Sequence, residues 1–269
     1  MLCDGDHFPS GAVRFIRQMR ESEPIYVKGI FFTQVDTIEM IPIGFMPISS
    51  PLAKFKEDEK LLVDKSREKF VKILENAGIK YDVDPYEGAW DVDFFKNESR
   101  FADLVIMSEE LFCTNDLEKQ PNSFMTEALR ISECPAIVVP EDFKCVDRLA
   151  IAYDGEKESM HAIKQFTYLF PEFIERPTEI LHFTEKSTDE IPNRDLLREY
   201  AFAHFQSQYT SKQLFDPKKY LTSWLEEKQN VFLVTGSFSR SAFSTSLRSS
   251  FSNQVIAEHQ CPVFIAHSS

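Results

Sequence analysis

The chain has 269 residues, enough for one large domain or two of ordinary size, and carries a net charge of −13. With no long basic run to offset it, that charge excludes a nucleic-acid-binding surface, which needs clustered Lys and Arg. No apolar run approaches the roughly 20 residues that span a bilayer. Met1-Leu2-Cys3-Asp4-Gly5-Asp6 lacks the basic start and apolar stretch of a signal peptide. The five cysteines form no CxxC, and their odd number favours reduced thiols, so a cytoplasmic chain without membrane or nucleic-acid partners is expected. The six histidines are scattered, and no metal site follows from their spacing.

Met1 to Cys3 form an apolar stub running into Asp4-Gly5-Asp6. Pro9-Ser10-Gly11-Ala12 opens a helix whose apolar face is Ala12, Phe15, Ile16 and Met19. Ile25 to Phe32 is a near-continuous apolar run, as in a strand covered on both faces. Residues 34–51 hold three prolines and no helical period, and read as an inserted loop or small hairpin. A charged helix is predicted from Leu52 to Ala77, burying Phe55, Leu61, Leu62, Phe70, Ile73 and Leu74. Lys80 to Val83 is a short strand. Trp90, Phe94 and Phe101 fall at helical spacing and are assigned to the core. Asp103 to Ser108 is a strand, Phe124 to Ile131 a helix, and Cys134 to Val139 a strand closed by Pro140.

The pattern then restarts. Arg148 to Tyr153 is a strand meeting Asp154-Gly155, as the stub meets Asp4-Gly5. In both copies an acid follows the glycine, and an alanine (Ala12, Ala162) stands at the same distance beyond the aspartate. The second helix buries Ala162, Ile163, Phe166, Leu169 and Phe170. Glu179 to Thr184 mirrors Val27 to Thr33, and helices follow at Leu196 to Phe205 and Tyr220 to Leu225. The closing block has a strand (Val231 to Val234), a hydroxyl-rich loop from Thr235-Gly236 to Ser249-Ser250, a short helical pattern (Val255, Ile256, His259) and a strand (Cys261 to Ala266). Two copies of one α/β unit, residues 1–144 and 145–269, are expected, each with parallel strands and right-handed crossovers. Ligands of such folds bind at the carboxyl edge of the sheet, by the loops and helix N-termini. Only three residues precede Asp4, so either the first strand is short or the chain starts upstream of Met1.

Together these features resemble the universal stress protein family in its tandem two-domain form. The residues that carry the resemblance are Asp at the end of the first strand (Asp4, Asp154), the closing strand-loop-helix-strand block, and the Cys-Pro-apolar last strands at Cys134-Pro135 and Cys261-Pro262. It covers nearly the whole chain outside residues 34–51. It implies two Rossmann-like α/β domains of the adenine nucleotide alpha hydrolase-like type, each a five-stranded parallel sheet of order 3-2-1-4-5 flanked by helices. It also implies intramolecular pairing of the domains through their last strands, with a homodimer left open.

Nucleotide-binding members of that family share the loop Gly-x2-Gly-x9-Gly-Ser/Thr, whose glycines let backbone N–H groups approach phosphates. Here the pattern falls on Gly236, Ser239, Ser249 and Ser250, so two of the three glycines are serines. In the first copy Ser108 to Ser123 has no glycine and carries Glu109, Glu110, Asp116 and Glu118, which would repel a triphosphate. Two readings of the second loop stay open. In one, Ser237, Ser239, Arg240, Ser244, Ser249 and Ser250 hold the phosphates of ATP or AMP, Asp154 and the backbone at Phe183 flank the adenine, and slow hydrolysis can follow. In the other, the serines are turn and cap residues and no cofactor binds. No nucleophile, base and orienter assemble around Asp4 or Asp154, so no catalytic residue is assigned and both are read as orienting the turn after the first strand. Cys134 and Cys261 are read as packing residues, Cys3 as the better thiol-sensor candidate, His182 as a core residue, and His161 and His204 as surface. The expected role is a non-enzymatic stress-response or small-molecule-sensing protein, with nucleotide binding or a ligand-free interaction scaffold as alternatives.

Overall fold

A computed structural model places these elements. It describes residues 1–5, 7–33, 51–86, 88–113, 121–184, 190–205, 209–215, 224–225, 227–236, 256, 261–266 and 268. The first half supplies β1 (Leu2–Cys3), α1 (Ser10–Ser22), β2 (Tyr26–Thr33), α2 (Pro51–Asn76), β3 (Lys80–Val83), β4 (Gly88–Ala89), α3 (Val92–Arg100), β5 (Val105–Ser108), α4 (Ser123–Ile131) and β6 (Ala136–Val139). The second supplies β7 (Arg148–Ala152), α5 (Lys157–Leu169), β8 (Thr178–Thr184), α6 (Arg194–His204), β9 (Tyr209–Phe215), β10 (Val231–Gly236) and β11 (Val263–Ala266). The predicted insertion at 34–51 lies outside the described residues except for Pro51, which opens α2.

The strands are shared out differently from the expected two sets of five. β5-β6-β11-β10-β7-β8-β9 form one sheet, and β1-β2-β3, with β4 also on β2, form another. Among the described ladders all are parallel except one. β6 and β11 run antiparallel, with Val138 opposite Val263, Ile137 opposite Phe264 and Ala136 opposite Ile265. That ladder joins the last strands of the two halves. No ladder joins β1 to β5 among the described residues, because β1 offers only Leu2 and Cys3, which pair with Ile30 and Phe31 of β2. β9, which the sequence reading did not contain, pairs along its length with β8.

Side chains alternate across each strand and feed two apolar layers. Leu149, Ile151, Phe232, Val234, Ile137, Val139 and Phe264 face one layer, covered by Ala12, Phe15 and Ile16 of α1, Phe70 and Leu74 of α2, and Ala162, Ile163 and Phe166 of α5. Ala150, Val231, Leu233, Ala136, Val138, Val263 and Ile265 face the other, covered by Phe95 of α3 and Met125, Ala128 and Leu129 of α4. Both layers continue across the break between β1 and β5, since Cys3 and Ile106 share the first and Leu2 and Val105 the second. Packing therefore spans the gap that the backbone ladder leaves.

Phe232 is the hub of the first layer. Its ring meets those of Phe15 at 5.2 Å, Phe166 at 5.3 Å, Phe173 at 5.7 Å and Phe170 at 5.8 Å, all edge-on. Such aromatic pairs add about 0.5–1.5 kcal/mol each beyond area burial. Phe15 belongs to the first half, so α1 is docked on the second half's strand. The connection between halves fixes it from the other side. Arg14 donates to the carbonyls of Phe143 and Glu141, and Gln18 accepts from the Val146 amide at 3.0 Å. Gly11 lies so close to the Pro140 carbonyl that any Cβ would collide with it.

Two expectations about the core fail. Leu61 and Leu62 of α2 are exposed, and Val63, Phe70 and Leu74 form its buried stripe. Phe101 is 89% exposed because α3 ends at Arg100, so its inward face is set by Phe95 and Ser99. Among the described residues no helix is long and apolar enough to cross a membrane.

Phe232→Ala is expected to cost about 3–5 kcal/mol, the range for a buried Phe. The two halves should still unfold in one urea transition. Separate transitions for the halves, or a loss below about 1 kcal/mol, would contradict this account of the hub.

Candidate functional site

The carboxyl ends of β7 and β10 bring Asp154, Ser159, Glu158 and Gly236 together. β7 runs into Tyr153 and then the Asp154-Gly155 turn. Gly155 has φ +86°, and a Cβ there would collide with Pro192, so the turn requires glycine on both counts. The Asp154 carboxylate accepts from the Glu156 amide at 2.8 Å and the Ser159 hydroxyl at 2.7 Å, orienting the first turn of α5. Behind it, buried His182 sets Nδ1 2.9 Å from the Tyr153 carbonyl, a structural contact as its place in an apolar strand implied.

Gly236 ends β10 opposite Ala266. A Cβ built on it would stand 2.5 Å from the Glu158 carbonyl carbon and 2.6 Å from the Ser159 nitrogen. The helix backbone thus rests on the strand end, which accounts for the glycine without invoking a phosphate. Glu158 in turn accepts from Ser268, whose amide is at 2.8 Å and hydroxyl at 2.6 Å. Burial alone would push the Glu158 carboxyl up, but the Ser268 hydroxyl and amide, with Lys157 and His161 nearby, outweigh it and hold the group below the ordinary carboxylate range. Of the other residues expected to bind, Phe183 lies in the β8 ladder with its backbone opposite Leu214. Ser237, Ser239, Ser249 and Ser250, like Arg240 and Ser244, lie outside the described residues.

The first half uses the same positions in another way. Ser108 ends β5 opposite Val139, as Gly236 ends β10, so a side chain stands where the second copy has none. Asp4 is buried, and its carboxylate accepts from the His7 amide at 2.7 Å and, across the cleft, from the Phe112 amide at 2.6 Å. Phe112 adopts φ +58° and drives its ring against Phe124 at 4.9 Å, with Phe32 and Trp90 behind. Asn122 completes the plug: its amide donates to the Leu111 carbonyl at 2.7 Å, and its oxygen caps α4 through the Met125 amide at 2.8 Å. A carboxylate of the chain itself already occupies the loop's donor, and aromatic rings fill the space behind it.

Sequence reasoning missed Ser159, Glu158, Ser268 and Phe112. One signal was present: five residues beyond the aspartate the second copy has Ser159 and the first has Pro9, which has no donor. The Cys3 expectation is overturned. Its side chain is buried, and burial raises its thiol to about 12, far from a reactive thiolate; Cys261 is raised to about 12 in the same way. His161 and His204 are half-buried instead of surface residues, His204 stacking on Tyr200 at 4.2 Å. Among the described residues no group of three or more His, Cys, Asp or Glu is placed to hold a metal ion.

No family model and no curated protein matches the chain. Solved structures do. A universal stress protein from Archaeoglobus fulgidus DSM 4304 is similar at TM-score 0.70 and 16% identity, over 100% of this chain and 96% of that one. A provisional universal stress protein from Pseudomonas aeruginosa UCBPP-PA14 is similar at TM-score 0.57 and 13% identity, over 99% and 91%. A functionally unknown protein from Pseudomonas aeruginosa PAO1 follows at TM-score 0.55 and 12% identity, over 99% and 92%. The chain shares its α/β fold with these structures, the first two of which are titled universal stress proteins.

Gly236→Ala should destabilise the protein by about 1–3 kcal/mol, as overpacking does, since the added methyl meets helix backbone and not a flexible side chain. A neutral result in urea unfolding would show that α5 can move off β10. Glu158 has a lower pKa folded than unfolded. Its contribution is therefore complete above the ordinary carboxylate range and is lost as pH falls through the folded value. Glu158→Gln should lower the urea midpoint at neutral pH, and the two midpoints should converge in acid. A gap that stays constant with pH would count against the Ser268 clamp.

Proposed function

We propose that the chain is a tandem universal stress protein of two domains, residues 1–144 and 145–269, that acts in the cytoplasm without catalysis. In this reading the first domain is a closed structural partner, and the second carries whatever response to a small molecule the protein has. The observation behind it is the closure of the first cleft: Asp4 reaches across it to the Phe112 amide, and the rings of Phe112, Phe124, Phe32 and Trp90 pack behind that bond. The strand order β9-β8-β7-β10-β11 and the β6–β11 ladder support the tandem arrangement.

A second reading is that the second domain binds ATP or AMP, with slow hydrolysis as an added activity. It is favoured by Gly236 at the end of β10, leading into the hydroxyl-rich segment at 237–250, beside the aspartate-bearing turn. Serines at the other two glycine positions and the packing of Gly236 on α5 argue against it.

Thermal unfolding with millimolar ATP or AMP separates the two readings. Ligand at about 100 times its Kd would add about 2.7 kcal/mol, a rise of several degrees. The proposed reading expects no rise and no phosphate release from ATP. A rise, together with nucleotide recovered from the purified protein, would establish the second reading. Phosphate release that is lost on Asp154→Ala would overturn the non-enzymatic assignment.

A further inference from the structure

Toward the amino ends of β7 and β8, at the end of the sheet away from Asp154 and Gly236, two enclosed polar side chains stand on one face. Arg148 opens β7 opposite Val231 of β10, and Glu179 of β8 stands opposite Ala150. Side chains alternate along a strand, so Arg148 and Glu179 share the face of Ala150 and Leu181. Trp224, in the helical turn before β10, packs in the same layer as Ala150, Leu181 and Val231. On this face the Lys212 ammonium of β9 meets Glu179 at 2.5 Å. Glu227, three residues beyond Trp224, has its carboxyl held below the ordinary range by Lys228 first and by Lys212 as well, which sets that helical turn beside β9.

Two donors in this group are left without an acceptor. Trp224 is only 8% exposed, and its buried indole N–H donates to nothing. Trp90, the other tryptophan, donates to Glu127 at 2.9 Å. The Nε–H of Arg148 is buried and equally unpartnered, and its guanidinium forms no ion pair among the described residues. Glu179 is taken by Lys212, and Glu227 pairs with Lys228 at 2.8 Å. The two lysines thus cancel the two glutamates, and Arg148 is left as an unbalanced cation in a chain whose net charge is −13. A water molecule would satisfy the donors but leave the charge; an anion answers both.

We propose that Arg148 and Trp224 bind a small monovalent carboxylate of acetate size, the guanidinium and the indole N–H sharing its two oxygens. A planar carboxylate suits a guanidinium fork joined by one further N–H, whereas a halide offers a single point of contact. One unbalanced positive charge fits a monovalent ion and not a phosphate dianion. Because it binds the folded chain alone, the ion stabilises this end of the sheet in proportion to its concentration. The site lies away from Asp154 and rests on neither reading of the second domain.

The test is thermal unfolding of the full chain with sodium acetate, sodium chloride or acetamide. Millimolar acetate should raise the midpoint and saturate, chloride should act at least about tenfold more weakly, and neutral acetamide not at all. Arg148→Met should abolish the acetate response without lowering the midpoint in its absence, since it removes an unbalanced charge. Trp224→Phe keeps a ring, loses the donor, and should weaken acetate by about tenfold. In Trp90→Phe the remaining indole is Trp224, whose emission should change over the same acetate range. Glu179→Gln removes the competing negative charge and should tighten binding, which keeps the test decisive if Arg148→Met fails to fold. No response to millimolar acetate, an equal response to chloride, or a response that survives Arg148→Met would each overturn the proposal. So would weaker binding in Glu179→Gln, or a Trp224 emission that stays constant while the midpoint rises.

Discussion

The antiparallel ladder between β6 and β11 is the constraint on which the architecture depends. It turns what would be two separate sheet edges into the interior of one sheet, so neither half keeps its last strand exposed. With that ladder in place, the strands on either side present continuous apolar faces. α1 of the first half then finds Phe232 of the second within ring-contact distance. The helix is held there by aromatic packing below and by the connecting segment above, through Arg14 and Gln18. The halves share a core instead of merely touching.

The two aspartate-glycine turns can be compared position by position. Each copy begins with an aspartate-glycine turn, and in each the glycine permits close approach: Gly155 to Pro192, and Gly5 to Val63 of α2. Asp154, with Ser159 five residues on, holds the first turn of α5. Asp4, with Pro9 at that place, accepts from the His7 and Phe112 amides, and Phe32, Trp90, Phe112 and Phe124 pack behind the latter bond.

Most of the buried architecture was legible in the sequence, because strands covered on both faces are written as unbroken apolar runs and their period needs no tertiary context. The strands at Val105–Ser108, Ala136–Val139, Arg148–Ala152 and Val231–Gly236 fell within or beside the expected spans. β9 did not, for the opposite reason. At the end of its sheet among the described residues, it leaves Thr210, Ser211 and Lys212 exposed, and their polarity hides the strand in a single sequence. Phe101, Leu61 and Leu62 misled because an apolar residue near a helix is not thereby on its inner face; the phase set by Phe95 or Phe70 decides. The site was legible only as an outline. Gly236 and Asp154 were marked, but that Gly236 seats α5 and Asp154 holds Ser159 depends on a helix crossing that no spacing rule gives.

The break between β1 and β5 has a mechanical consequence. Among the described residues no backbone ladder joins the two sheets along that line, which is held by side-chain packing and the bond from the Phe112 amide to the Asp4 carboxylate. Side-chain contacts of this kind can separate and reclose without melting either sheet. The amides of β2 and β3 thus belong to a unit that can detach at lower free energy than the seven-stranded slab. Deuterium uptake by native protein would reach Tyr26–Thr33 well before it reaches β10, whose neighbours on both sides are hydrogen-bonded to it.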